Sequence, residues 1–571
     1  MSKTKNEKNH SVSYCGFGGI DRTLIHSDKP AADEIVNFRI SKDGSLEKRC
    51  GYVPFVDLGE PVRAIYSSTE DGKNILYALV GDTVYSVDCD TGEKTKLAIV
   101  GTVSGSASFF VYVGKLFLTD HTDLYLIGEE SATPVYGYAP LFAKDWGSYV
   151  AYDVNEPRNV LNKSARLTYH LDTQTIYLNV KYPVSTVEEV RVNGFPIASD
   201  KYRIDNNFCT VNVQDLNVGD KVEIRLTYSE GSGDHKNKLM SAKFCSVFGD
   251  SDNPRIFLCG GDAGSKAFVS RYVGEEDILE AEKTYPNSQH LYFPESNVLD
   301  VGNGANRIQA ITSHKNKILI FTEGDVWITT FEEKDPLIQR VDPDIGCPVL
   351  GGAVAVENGS VSLGRHSVWL WTDDPSVVGT CKARSISNQI DKELSHYGLE
   401  NCGLYYDRTK SELWVYCKTD DIAWIYNFGN GFWYKYEGIL ADDVFDINGN
   451  VAFIKDGYIY VFNESKPYDT NKNGIGRGII GQYYSSFEDF GYEGKKQLSS
   501  LVLKGDLHDD DVTVTFEMTD GATRNYVLRG NDSHSIIKRR IWSGNFKSLR
   551  FKLTAAGNSR QTIHGIVLNA R

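Results

Sequence analysis

Apolar and polar residues alternate with period two through most of this chain, and one phrase of that alternation recurs. In residues 315–331 (KNKILIFTEGDVWITTF), Ile318 and Ile320, then Val326 and Ile328, alternate with their neighbours around a polar corner of Thr322, Glu323, Gly324 and Asp325. Such alternation fits half-buried strands, and a glycine beside an acid supplies the tight turn between them. The phrase returns at residues 74–87, 114–127, 358–371 and 448–462, with an aromatic near the centre of each second strand: Tyr85, Tyr125, Trp327, Trp369 and Tyr460. A hairpin of this kind cannot bury its faces alone, whereas stacked copies can. This predicts a β-propeller.

Taken along the chain, two copies occupy residues 64–127, with Tyr85 and Tyr125 40 residues apart. That is the spacing of one blade. The phrase then vanishes between residues 161 and 228. In its place come short alternating strands at 165–170, 175–180, 187–192, 202–204, 209–213 and 221–228, separated by turns such as Asn193-Gly194. Short strands with frequent turns predict an inserted β-sandwich. Residues 230–238 (EGSGDHKNK) read as its flexible return linker. The phrase resumes at 245–259 and continues through 315–331, 354–371, 403–428 and 444–462, adding Phe257 and Trp424 to the aromatic series. The total is about seven blade-like units. From residue 482 the strands alternate without the phrase (497–504, 511–518, 525–529, 549–553, 563–568), predicting a second sandwich. The expected architecture is therefore all-β: an N-terminal arm leading into the propeller (1–52), the propeller's first part (53–140), the inserted sandwich (141–238), the propeller's second part (239–481) and a C-terminal β-sandwich (482–571). Residues 275–283 and 390–396 are the main helical candidates, and residues 1–12 are expected to form a mobile tail.

Composition agrees with strands. Among 571 residues there are 52 Gly and 33 Tyr but only 3 Met. No apolar run has the length of a signal peptide core or a membrane span, so a soluble protein assembled in the cytosol is expected. Ten scattered Cys form no CxxC pair, which argues against a zinc ribbon and for reduced, structural thiols. The net charge of −15 argues against tight sequence-specific nucleic-acid binding, which needs a basic patch. It does not exclude a wall past which DNA slides, but on composition alone the charge reads first as what keeps a large protein soluble.

Candidate chemistry is sparse. Gly16, Gly18 and Gly19 lack the Lys-Ser/Thr of a phosphate loop and read as a glycine turn. Asp469, Asn471, Asn473 and Gly474 match the opening of a calcium loop, but Ile480 stands where the bidentate Glu belongs, so an Asn/Gly turn is expected. His508, Asp509, Asp510 and Asp511 read as a solvated turn. There is no G-x-S-x-G elbow and no H-E-x-x-H, and Ser41 to Ser45 only distantly echoes a sialidase box. Trp433, Tyr434 and Tyr436, if exposed, offer a glycan platform; lying in a strand-like run, they are expected to pack. No catalytic residue, cofactor or metal site is assigned.

Three blocks carry a family resemblance. Gly18-Gly19-Ile20-Asp21, Asn37-Phe38-Arg39 and the run Gly44, Leu46, Arg49, Gly51, Tyr52 follow one another in the N-terminal block. The middle block has Phe248-Gly249, Asp250, Arg255-Ile256-Phe257, Tyr292-Phe293-Pro294, Val301-Gly302 and Ile308. The late block has Asn473-Gly474, Tyr484 to Gly491 and Lys496. In this order they resemble the packaged-DNA stabilisation and tail nozzle (tail tubular) proteins of tailed phages and prophages. The resemblance implies a structural, non-enzymatic virion protein of the tail and portal vertex, assembled in the host cytoplasm. Its copies form a ring, a hexamer, below the portal and adaptor, continue the DNA channel and retain packaged double-stranded DNA until ejection. The acidic turns Asp373-Asp374 and Asp442-Asp443 are the candidate channel-lining residues. The alternative is a receptor- or glycan-binding propeller of the tail with depolymerase activity.

Overall fold

In the computed structural model the described residues are 10–23, 31–70, 73–100, 107–120, 122–128, 131–146, 156–229, 233–248, 254–274, 276, 291–315, 317–332, 335–342, 344–377, 379–530 and 536–571. The expected all-β architecture is present: a seven-bladed β-propeller with an inserted two-sheet unit and a second sandwich beyond it. Among the described residues no helix is long and apolar enough to cross a membrane.

Each blade is a four-stranded antiparallel sheet, and the hairpin legible in the sequence is its middle pair of strands. In the fourth blade, for example, Lys317–Thr322 and Val326–Glu332 are flanked by Ile308–His314 and Asp335–Asp342. The middle strands are buried on both faces, as in Lys317–Thr322, Glu412–Cys417 and Ile422–Asn427, where every residue is buried. This is why their apolar signal is strong. Six of the marker aromatics lie on the third strand of their blade; Phe257 lies on the second.

The ring is closed by distant sequence. The seventh blade takes three strands from Asp443–Ile447, Asn450–Lys455 and Tyr458–Asn463, and its fourth from Gly51–Asp57, with Ile459 opposite Val56 and Val461 opposite Val53. Joining the first and last parts of a circular array removes the free edge that would otherwise open the ring.

The inserted unit packs two sheets around one core. Ser164–His170, Val184–Val192 and Lys221–Tyr228 lie in one, and Tyr177–Asn179, Tyr202–Asp205 and Thr210–Val213 form the other. Between them Leu167, Leu178, Val190, Val211, Ile224 and Leu226 are buried. The stretch read as a flexible return linker is in part a helix, Gly233–Met240, because Leu239 and Met240 are buried in the core shared by the second and third blades. The helix expected at 390–396 forms at Asp391–Tyr397. The other helical candidate, 275–283, lies outside the described residues except for Glu276.

The C-terminal sandwich differs most from expectation, because residues 482–571 do not build it alone. One sheet contains Phe38–Ile40, Leu46–Lys48, Thr562–Ala570, Leu498–Asp506 and Ile536–Arg540, and His10–Tyr14 also pairs with Thr562–Ala570. Residues expected to belong to a loose arm and tail are thus strands of this sheet. The other sheet is continuous with the sixth blade. Its nine strands run from Cys402–Asp407 through Phe432–Glu437 to Ala32–Val36, Gly481–Ser485, Leu549–Ala555, Val512–Met518 and the edge strand Thr523–Leu528. Val36 joins the blade in parallel at Lys435, and the same strand runs antiparallel to Gly481–Ser485. Propeller and sandwich are welded through backbone hydrogen bonds.

Candidate functional site

At that weld the chain concentrates its buried polar chemistry. Asn37 adopts a left-handed φ of 54°, a conformation Asn tolerates better than most residues. Its Oδ1 accepts from Arg49 Nε and from the Glu437 backbone N–H, both at 2.9 Å, while Nδ2 donates to the Ile480 carbonyl at 3.1 Å. Arg49, also buried, donates from both terminal nitrogens to the two carboxylate oxygens of Asp469, each at 2.7 Å. The same guanidinium reaches the carbonyls of Cys50 (3.1 Å) and Glu437 (2.9 Å). The fork geometry of arginine is thereby satisfied in a low-dielectric site, where an unpaired charge would be costly. Five stretches meet here: the bridging strand, the start of the closing strand, the sixth blade, the hairpin carrying Asp469 and the strand beginning at Gly481.

A second node lies beside it. Glu412 is buried, and its Oε1 accepts from Arg39 Nε (2.6 Å), Tyr434 Oη (2.7 Å) and Asn427 Nδ2 (3.3 Å). Two glycines permit the close approach. A Cβ on Gly51 would lie 1.9 Å from the Tyr468 carbonyl oxygen, and one on Gly481 would meet the Phe38 ring at 2.9 Å. Asn37, Phe38, Arg39, Arg49 and Gly51 are thus components of one joint. Of their partners, Glu412 and Glu437 carry no local signal, and Asp469 stands out only as the opening of the calcium-like run, because the residues that define their roles lie hundreds of positions away.

The other candidates resolve in terms of contacts. Asp469, first position of the calcium-like run, has both oxygens engaged by Arg49, and Asn471 Oδ1 accepts the backbone N–H groups of Asn473 (3.0 Å) and Ile475 (2.9 Å) in a hairpin turn. Asp510 accepts the Ser559 backbone N–H at 2.5 Å and so braces a loop. Trp433, Tyr434 and Tyr436 are buried, with Trp433 Nε1 donating to the Ile386 carbonyl at 2.7 Å, so they form no exposed platform.

The four acids named for a channel are not brought together. Asp443 opens the innermost strand of the seventh blade, while Asp373 ends the third strand of the fifth, Val368–Asp373. Inner strands all run from one face of a propeller and third strands run parallel to them, so the two pairs lie at opposite faces. Asp373 takes Lys315 Nζ at 2.5 Å and Lys317 Nζ at 3.1 Å, and these hydrogen bonds hold its carboxyl well below the usual range. Asp374 accepts the Ser376 N–H at 2.8 Å. Asp443 accepts the Tyr416 hydroxyl at 2.9 Å, and Asp442 the Asp456 N–H at 3.3 Å.

No protein-family model matches the chain, and no curated protein matches it. Among solved structures, the Pan2 WD40 domain of Neurospora crassa matches with a TM-score of 0.37 at 7% identity, covering 72% of this chain and 96% of that one. The Cps50 (Swd1) β-propeller domain of Myceliophteria thermophila gives 0.30 at 9% identity, covering 73% and 98%. An exo-β-1,3-galactanase of Phanerochaete chrysosporium gives 0.17 at 10% identity, covering 82% and 96%.

Proposed function

We propose that the chain is a structural virion protein of a tailed phage, of the nozzle or packaged-DNA stabilisation type. Its copies form a hexameric ring below the portal and adaptor, which continues the DNA channel, retains the packaged genome and takes part in ejection. The observation that carries this reading is the convergence of the N-terminal motif on one buried joint. Asn37, Arg39 and Arg49 each hold the sixth blade or its neighbours to the sandwich, with their hydrogen bonds made inside the protein. Residues that serve chemistry present free polar groups to a pocket, whereas Asn37, Arg49 and Asp469 line one wall of a cavity of about 410 Å³ with their polar groups engaged with one another. These instead brace two modules into one stiff body, as a part under load at a ring interface requires. The acid balance suits a conduit that lets phosphate pass without gripping it.

The test is assembly. Purified protein is examined by mass photometry alone and with a portal–adaptor complex, and particles made without it are assayed for retained DNA. Closed rings on the complex, and DNA loss without the protein, are expected. A monomer or trimer that ignores the complex and binds or cleaves a host glycan would overturn the reading.

A further inference from the structure

Two exposed patches on this chain are complementary and lie on opposite sides of the propeller. The insert leaves the ring between the second blade (strands from residue 108 to 134) and the third (from 244 to 300), while the sandwich extends the sixth. Counted either way around seven blades, three and a half separate them, half the circumference.

The first patch is the open edge of the C-terminal sandwich. Thr523–Leu528 and Ile536–Arg540 end their respective sheets and lean on each other, with Tyr526 Oη donating to the Trp542 carbonyl at 2.6 Å. Arg524, Arg529, Lys538, Arg539 and Arg540 are exposed there, and none has a described carboxylate within ion-pair distance. Basic residues on an edge strand also guard against aggregation. That role does not call for the apolar side chains set among them: Trp542 is 60% exposed and Ile536 56%. Exposed tryptophan beside arginine is the composition of a binding hot spot. The charge is local. Residues 482–571 hold 13 Lys and Arg against 10 Asp and Glu, whereas residues 1–481 hold 48 against 66.

The second patch is the far end of the insert. Strand Ser164–His170 leads away from the propeller and Lys221–Tyr228 returns, so the turns at 171–176, 193–194 and 214–220 form its outer tip. Asn193 and Gly194, with φ of 50° and 83°, make the tight hairpin turn that presents Phe195, which is 76% exposed. Ile176, Tyr177 and Val218 are exposed at the same end. Segments 170–176, 193–201 and 214–221 carry four carboxylates, Asp172, Asp200, Asp215 and Asp220, against Lys201 and Lys221. The tip is aromatic and acidic where the edge is aromatic and basic.

We propose that the insert tip of one copy docks on the C-terminal sandwich edge of the next. Different surfaces meet in such a contact, so it repeats head to tail, and it builds a ring when the rotation from each copy to the next closes after a whole number of copies; patches on opposite sides of the disc leave each copy free to engage two neighbours. Charge complementarity selects the partner and the aromatic groups supply the buried centre. The proposal rests on the ring reading above and specifies which surfaces build the ring.

Charge reversal in the full-length chain tests it. Lys538→Glu with Arg540→Glu reverses the edge; Asp200→Lys with Asp215→Lys reverses the tip; all four together restore complementarity. By mass photometry over a concentration series, each reversal alone lowers the assembled fraction by about tenfold, and the combined variant regains it. Phe195→Ser, at an exposed position, lowers assembly without changing Tm. The series is run with the chain alone and on a portal–adaptor complex: rings that persist undiminished in both reversals overturn the contact and leave the ring reading standing, whereas a wild-type chain that stays monomeric in both settings overturns the ring reading itself. An edge variant that keeps its rings but loses binding to a duplex oligonucleotide assigns the edge to nucleic acid and overturns the proposal.

Discussion

Arg49 and Asp469, 420 residues apart, meet as a buried bidentate pair with both contacts at 2.7 Å. Removing one partner leaves the other charge buried without its counter-ion, whereas removing both leaves only a packing defect. Arg49→Met or Asp469→Asn is therefore expected to cost about 3–5 kcal/mol, and the double variant Arg49→Met/Asp469→Leu markedly less than the sum. Urea unfolding of the four proteins in a double-mutant cycle measures this. Additive single costs would show the pair to be uncoupled.

Gly51 starts the strand that closes the propeller, and space rather than backbone conformation explains it. A methyl group there would sit 1.9 Å from a carbonyl oxygen of Tyr468, so the backbone must move. Gly59 has a positive φ of 86° but nothing within 4 Å of an added Cβ. Gly51→Ala is expected to cost about 3 kcal/mol, at the upper end of overpacking, and Gly59→Ala about 1 kcal/mol from backbone strain. Thermal unfolding of the pair gives the order, and a milder effect at Gly51 would refute the close contact.

The blades were legible because their middle strands are buried on both faces and joined by tight turns, as at Lys317–Thr322. Much of the rest was set by distant pairing, which leaves no local trace. Gly51–Asp57 includes Pro54 and half-exposed residues, and it becomes a strand because Tyr458–Asn463 offers it an edge. The helix at Gly233–Met240 begins in linker-like sequence and forms because Leu239 and Met240 have a core to enter. At the joint, the motif residues were visible as a pattern, but their role depended on Asp469, Glu412 and Glu437, which only folding brings near. The four acids proposed for a channel had no such pattern, and folding separates them.

The calcium-like run gives a prediction about metal. Binding at Asp469 would require the ion to displace Arg49 and leave that guanidinium buried without its partner. Neither EDTA nor calcium at about 5 mM, enough for the weaker extracellular type of site, is expected to shift Tm by more than the error of the measurement. A calcium-dependent rise in Tm that Asp469→Asn abolishes would show that the ion displaces the arginine.

Lys48 makes stability depend on pH in an unusual direction. It is completely buried in the joint between arm and sandwich, with Nζ 2.5 Å from the Gly557 carbonyl oxygen. Burial pushes its ammonium down to about 8 from 10.5, against the attraction of Asp510. Between those values the unfolded chain holds a proton that the folded chain has released, so the contribution of Lys48 to stability rises with pH across that window. Below about 8 both states are protonated and the cost of burying the charge is felt in full. Lys48→Met removes that cost without leaving a large cavity. The stability advantage of Lys48→Met over wild type is therefore expected to shrink by on the order of 2–3 kcal/mol between pH 7.5 and pH 10. Parallel urea unfolding of the two proteins at each pH cancels the titration of tyrosines that both share. An advantage that stays constant or widens with pH would mean that Lys48 is not charged and buried in the folded protein.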